Sequence, residues 1–174
     1  MQLIKMVKLN SRSGFSLLEI IIVVVILGIV AALAIPAGVN MTSNTQLRST
    51  ADIIKQKLVV ARSRAIADPS LACGVYFDIT STPNKVVTFF DDPSFGLRNK
   101  YDAGTDKNYL TPSNLDKNIK MQIPATGGII NQVIIFRGDG SAKDGGSINI
   151  VNKRGKTRTI NILASTGRVK VIIP

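Results

Sequence analysis

No histidine and no tryptophan occur among the 174 residues, and there is a single cysteine. Without histidine, no Ser-His-Asp triad, Cys-His dyad or His-based zinc site can be assembled. A lone cysteine leaves no intrachain disulfide, no Cys-pair metal site and no dithiol redox motif. Aromatics make up 5% of the chain, too few for a platform that stacks single-stranded nucleic acid. Acids are scarce as well: 11 Asp+Glu stand against 22 Lys+Arg, for a formal net charge of +11. Carboxylate, Lys and Ser chemistry remains formally open, but no catalytic set is visible. The expectation is therefore a non-enzymatic protein with no cofactor and no metal. The length allows one domain of ordinary size with an appendage.

Hydrophobic residues, 45% of the total, are unevenly spread. Residues 1–13 are short, basic and free of acids. Between Ile20 and Ile35 no side chain is charged or polar. As a helix, Phe15–Ile35 would span about 31 Å, the hydrocarbon thickness of a bilayer. The tract thus reads as a transmembrane helix. Lys5, Lys8 and Arg12 keep its N-terminus cytoplasmic by the positive-inside tendency. A secretory signal peptide fits less well, because its apolar region is shorter and a small-residue cleavage site follows it. Here Gly14 comes before the tract. Glu19 is anomalous inside it, since a carboxylate in a membrane helix is costly and usually has a partner. The bland alternative places Glu19 at the headgroup boundary, favoured by the helix dipole.

Gly14-Phe15-Ser16-Leu17-Leu18-Glu19 resembles the processing signature of type IV prepilins and of the pseudopilins of type II secretion. The similarity covers residues 1–36: a basic leader, Gly before Phe, Glu at the fifth position after the Gly, a long apolar run and Pro36. It implies that a prepilin peptidase/methyltransferase cuts between Gly14 and Phe15 and methylates the new terminus, Phe15. It also implies that Glu19 neutralises the terminal amine of a neighbouring subunit during filament assembly. Leaving either charge buried and unpaired would cost several kcal/mol. Pro36 removes a backbone donor and is expected to kink or open the helix near the membrane boundary.

From Asn40 to Asp68, Leu47, Ala51, Ile54, Leu58, Ala61 and Ala65 recur at helical spacing, which predicts an amphipathic helix with one apolar stripe. Lys55, Lys57, Arg62 and Arg64 are expected on its opposite side, and Asp68-Pro69 ends it. Beyond residue 70 the period shifts towards two. Strands are expected at Ala72–Ile79, Lys85–Phe90, Ile119–Ile123, Gln132–Phe136, Ser147–Asn152, Thr157–Leu163 and Arg168–Ile173. Lys153–Lys156 and Ser165–Gly167 read as hairpin turns, and 91–116 as an irregular surface insertion. The fold class is α+β, a long N-terminal helix packed on a C-terminal antiparallel β domain. Its segments are a leader (1–14), a transmembrane and assembly helix (15–36), an amphipathic helix (37–69) and a globular β domain outside the cytoplasm (70–174).

Phe136–Gly140, Gly167–Lys170 and Ala61–Ile66 resemble the corresponding patches of GspH/FimT-type minor pilins and minor pseudopilins. That resemblance implies an inner-membrane protein that joins other pilins or pseudopilins and helps initiate or cap a filament. An alternative is a FimT-like subunit that binds double-stranded DNA for uptake. For that role the candidate residues are Arg168 and Lys170 on one strand face, with Lys153, Arg154 and Lys156 in a turn expected beside them, all contacting phosphates. Lys170 stands where such motifs carry a second Arg, which keeps the charge but loses bidentate geometry. A solvated basic strand face is the plainer reading. Asp91, Asp92, Asp102, Asp106 and Asp116 would suit Ca²⁺ chemically, but their spacing is not that of an EF-hand, and a solvated loop is the better reading. Asp139 and Asp144 sit in a Gly-rich turn, where acids are common for reasons unrelated to catalysis. Cys73 reads as a small buried hydrophobe.

Overall fold

The computed structural model of the protein describes residues 14–91 and 100–173, without the side chains of 33–40. The leader residues 1–13, Asp92 and the side chain of Pro36 lie outside the described residues. Among the described residues, helix α1 runs Leu17–Ala67 and is followed by eight strands: β1 Ala72–Asp78, β2 Lys85–Asp91, β3 Lys107–Asn114, β4 Ile119–Gln122, β5 Val133–Phe136, β6 Gly146–Asn152, β7 Thr157–Ile162 and β8 Val169–Ile172. The chain divides into two compact units between Asn40 and Met41.

In the first unit every described side chain from Gly14 to Ala32 is exposed. Among the described residues no helix is long and apolar enough to cross a membrane. The expected span, Phe15–Ile35, is therefore only partly covered: its last residues, 33–35, have side chains outside the described set. The helix continues through position 36, so Pro36 does not end it.

In the second unit the strands form two antiparallel sheets, ordered β3-β2-β1-β5 and β4-β6-β7-β8. The helical part of this unit supplies Leu47, Ala51, Ile54, Leu58, Ala61 and Ala65, all buried, to the same core as Phe77, Phe136, Ile148 and Ile160. One stripe at three- and four-residue spacing thus serves both sheets, because burying apolar area is the main favourable term and a helix offers it on one face. The flanks of that stripe are not simply solvated. Of the four basic residues expected on the far side only Lys55 is exposed. Lys57 Nζ donates to the Thr111 carbonyl at 3.1 Å, and burial lowers its pKa. The Arg64 guanidinium lies over the rings of Phe90 and Tyr109, 5.7 and 5.9 Å from their centroids. Long basic side chains lay their stems and planar heads on neighbouring surface where one is within reach.

The expected insertion at 91–116 contains a strand. β3 closes one edge of its sheet against β2, with register shifts around Thr88. Its sequence, KNYLTPSN, is mostly exposed and contains Pro112, both tolerated at an edge and neither giving a period-two signal. Ahead of it Tyr101 stacks on Tyr76 at 4.8 Å and meets Phe89 at 5.0 Å. This roofs a small second cluster of Phe89, Val133 and Ile135.

Candidate functional site

Gly14 and Phe15 precede α1. The Ile20 amide donates to the Ser16 carbonyl at 3.2 Å, which makes Ser16 the residue that opens the helix and puts Glu19 in its first turn. Ser-x-x-Glu is the spacing of a capping box, and a carboxylate there also meets the positive end of the helix dipole. Phe15 is 79% exposed. A Cβ built on Gly14 would meet nothing within 4 Å, so nothing in the described chain requires glycine at that position. An apolar run exposed from Leu17 to Val30 is far larger than the patches that soluble monomers leave uncovered. It needs lipid or other helices around it.

The three patches read as GspH/FimT-like converge at one end of the second unit. Arg62 Nε donates to the Gly140 carbonyl at 2.9 Å. Gly167 has φ +61, and a Cβ there would come within 2.2 Å of the same carbonyl oxygen. The last turns of α1, the β5–β6 connection and the β7–β8 turn are thus pinned together. Only glycine fits position 167, both for its left-handed backbone and for the close approach. Gly167→Ala is expected to destabilise the protein by at least about 2 kcal/mol. Thermal unfolding followed by circular dichroism should show a midpoint several degrees lower, with the secondary-structure signal of the folded state retained.

Val169 and Val171 pack on the core, while Arg168 and Lys170 are exposed, as the alternation requires. Arg168 sits just ahead of β8 rather than within it. The turn Lys153–Lys156 is not beside them. Lys170 pairs with Asn161 on β7, whereas the turn precedes Thr157 at the other end of that strand. At ~3.4 Å per residue the separation along β7 is roughly 17 Å for Lys170 and more for Arg168. The five basic residues therefore form two groups at opposite ends of the sheet. Antiparallel connectivity dictates this, because successive turns alternate ends.

Among the described residues no acids gather into a group able to hold a metal ion. They serve their own loops instead. Asp102 Oδ1 accepts from the Gly104 amide at 3.0 Å, Asp106 Oδ2 from the Asp102 amide at 2.7 Å and Asp116 Oδ1 from the Asn118 amide at 2.8 Å. Asp139 Oδ1 accepts from both the hydroxyl and the amide of Ser141, bonds that hold its carboxyl below the usual range.

Cys73 is fully buried on β1. Burial is the largest influence on its thiol and pushes the pKa up to about 12. A thiol must ionise to react with disulfides or maleimides. Negligible labelling of the folded protein is expected at neutral pH, with stoichiometric labelling once it is unfolded in guanidinium. Rapid native-state labelling would contradict the buried placement.

The family model for the prokaryotic N-terminal methylation motif matches residues 9–35. No curated protein sequence matches the chain. Among solved structures, the minor pseudopilin EpsH from the type 2 secretion system of Vibrio cholerae is similar over 74% of this chain and 98% of its own, with a TM-score of 0.56 and 12% identity. The type IV minor pilin FimU of Pseudomonas aeruginosa is similar over 76% of this chain and 92% of its own, with a TM-score of 0.54 and 14% identity. At such identities the likeness is one of fold. A methylation motif thus leads into a long helix, and the chain has the fold that a minor pseudopilin and a minor pilin share.

Proposed function

We propose that the protein is a minor subunit of a type IV-like filament, a pseudopilus of type II secretion or a type IV pilus, and that it helps to initiate or cap that filament. The observation that carries this reading is the junction at Gly14–Phe15. The methylation motif spans it, its residues are exposed ahead of the first helical residue, and the apolar face that follows has no partner among the described residues. In this reading a prepilin peptidase cuts after Gly14 and methylates Phe15. Before assembly the tract 15–35 lies in the inner membrane, with the N-terminus cytoplasmic and the β unit on the far side. During assembly the tract leaves lipid for a bundle of neighbouring pilin helices, where Glu19 meets a partner's terminal amine. Pro36, one backbone donor short, gives the helix local freedom near the boundary. The test is the intact mass and N-terminal sequence of the protein extracted from its native membranes. A chain that starts at N-methylated Phe15 supports the reading. A chain that keeps residues 1–14, in cells where other pilins are processed, refutes it.

A further inference from the structure

The end of the second unit where the chain comes in at Met41 carries a basic rim. Asn152 at the end of β6 pairs with Ile119 on β4, and its Nδ2 reaches the Ser43 carbonyl at 3.5 Å. Around that point stand Lys117 and Lys120 on one side and Lys153, Arg154 and Lys156 on the other, all exposed. Lys117, Lys120 and Lys153 line a single groove of about 100 Å³. The turn that presents the last three is fixed, because Asn152 Oδ1 accepts from the amides of Arg154 and Lys156 at 3.0 Å each. Asp116 directly precedes Lys117, and Asp78 directly precedes Ile79, which lines a groove with Lys117 and Lys120. Asp78 is occupied by Thr80 and Ser81 and Asp116 by the Asn118 amide. At the opposite end of the unit basic residues are mixed with acids: Arg137, Lys143 and Arg168 lie in the same turns as Asp139 and Asp144 or next to them.

Large apolar side chains are exposed at the basic end, among them Met41 at 74% and Ile173 at 66%. Ile173 lines the same depression as Asn44 and Lys156. Cations interleaved with exposed apolar side chains suit a surface that is anionic outside and apolar beneath. A nucleic-acid backbone would take up the cations but leave Met41 and Ile173 in water. Ser43 also follows the apolar tract closely in sequence, eight residues after Ile35.

We propose that the rim of Lys117, Lys120, Lys153, Arg154 and Lys156 docks on an anionic phospholipid surface while the subunit waits in the membrane. This rests on the membrane-anchored reading above. The contact holds the β unit down and is released when the subunit enters a filament. Several basic side chains near such a surface act together, and the attraction fades within a Debye length.

The test uses the full chain reconstituted in vesicles of phosphatidylcholine alone or mixed with phosphatidylglycerol. Lysines are acetylated and read by mass spectrometry. Lys117, Lys120, Lys153 and Lys156 should react roughly fivefold more slowly in the anionic vesicles, while Lys143 and Lys170 react alike in both. Protection should vanish near 1 M salt, where the Debye length is about 3 Å. Lys153→Glu combined with Lys156→Glu alters only an exposed turn and should release Lys117 and Lys120 from protection. Equal rates in both lipids overturn the proposal. Protection of the rim by added double-stranded DNA but not by phosphatidylglycerol overturns it too, and makes the rim a nucleic-acid surface. Flotation separates the two readings: protein that floats with an unprotected rim refutes only the lipid contact, whereas protein that does not float refutes the anchor and the contact with it.

Discussion

Gly14→Val is expected to leave the protein at full length, beginning at Met1 and without a methyl group on Phe15. The warrant is a contrast between what this chain needs and what a peptidase needs. A Cβ at position 14 would meet nothing within 4 Å, so the substitution strains no contact in the described structure. Folding of the second unit should be untouched, with the same thermal midpoint as the parent. A β-branched side chain does, however, stiffen the backbone and widen it at the bond to be cut. Glycine allows the closest approach of another protein's active site to that bond. Loss of processing without loss of stability therefore points to recognition from outside. Intact mass after membrane extraction decides the matter: a mature mass from Gly14→Val would sink the assignment of the cleavage site. Gly14→Ala, with its single methyl group, should be processed slowly rather than not at all.

What could be read from the sequence follows periodicity. Every residue of the stripe from Leu47 to Ala65 is buried, with Thr50 joining it, because one face against two sheets leaves a plain 3.6-residue signal. β1, β2, β4, β5, β6, β7 and β8 lie where Val- and Ile-rich runs are bounded by turn residues. β3 was illegible for a physical reason: an exposed edge strand containing Pro112 buries too little to impose a pattern. The 3-10 turn at Ile130–Gln132 was equally silent, since Asn131 and Gln132 adopt positive φ without a glycine to announce it. At the candidate site, the methylation motif over residues 9–35 was legible because a motif depends on local spacing. The arrangement of the basic residues was not. Lys153–Lys156 lies far from Arg168 and next to Lys117 and Lys120 because of strand register, which no single run of residues encodes. The same holds for Arg62. Its expected place on the side opposite the stripe points to solvent, but its hydrogen bond runs to Gly140, 78 residues away in the chain.

Replacing Glu19 should abolish incorporation into filaments while leaving membrane levels unchanged. Two roles compete for this carboxylate, one local to the helix start and one proposed for filament assembly. It stands in the first turn of α1, three residues after Ser16, the spacing at which a capping box carries its acid. It is also exposed on an apolar helix, where a subunit packing alongside would bury it. Three substitutions separate the roles. Glu19→Gln keeps length and capping capacity but removes the charge that would meet a neighbour's terminal amine. Glu19→Leu removes both functions. Glu19→Asp keeps the charge on a shorter arm. If the charge is what matters, Gln and Leu should fail alike, because an uncompensated amine inside an apolar bundle costs several kcal/mol, enough to cut incorporation by a hundredfold or more. Asp should retain part of the activity. Insertion should not suffer in any of them, since removing a carboxylate lowers the cost of placing the helix in lipid. The measurement is the amount of the protein in purified filaments relative to the amount in the membrane. Normal incorporation of Glu19→Gln would reassign Glu19 to the helix start and leave the partner's amine to be neutralised elsewhere.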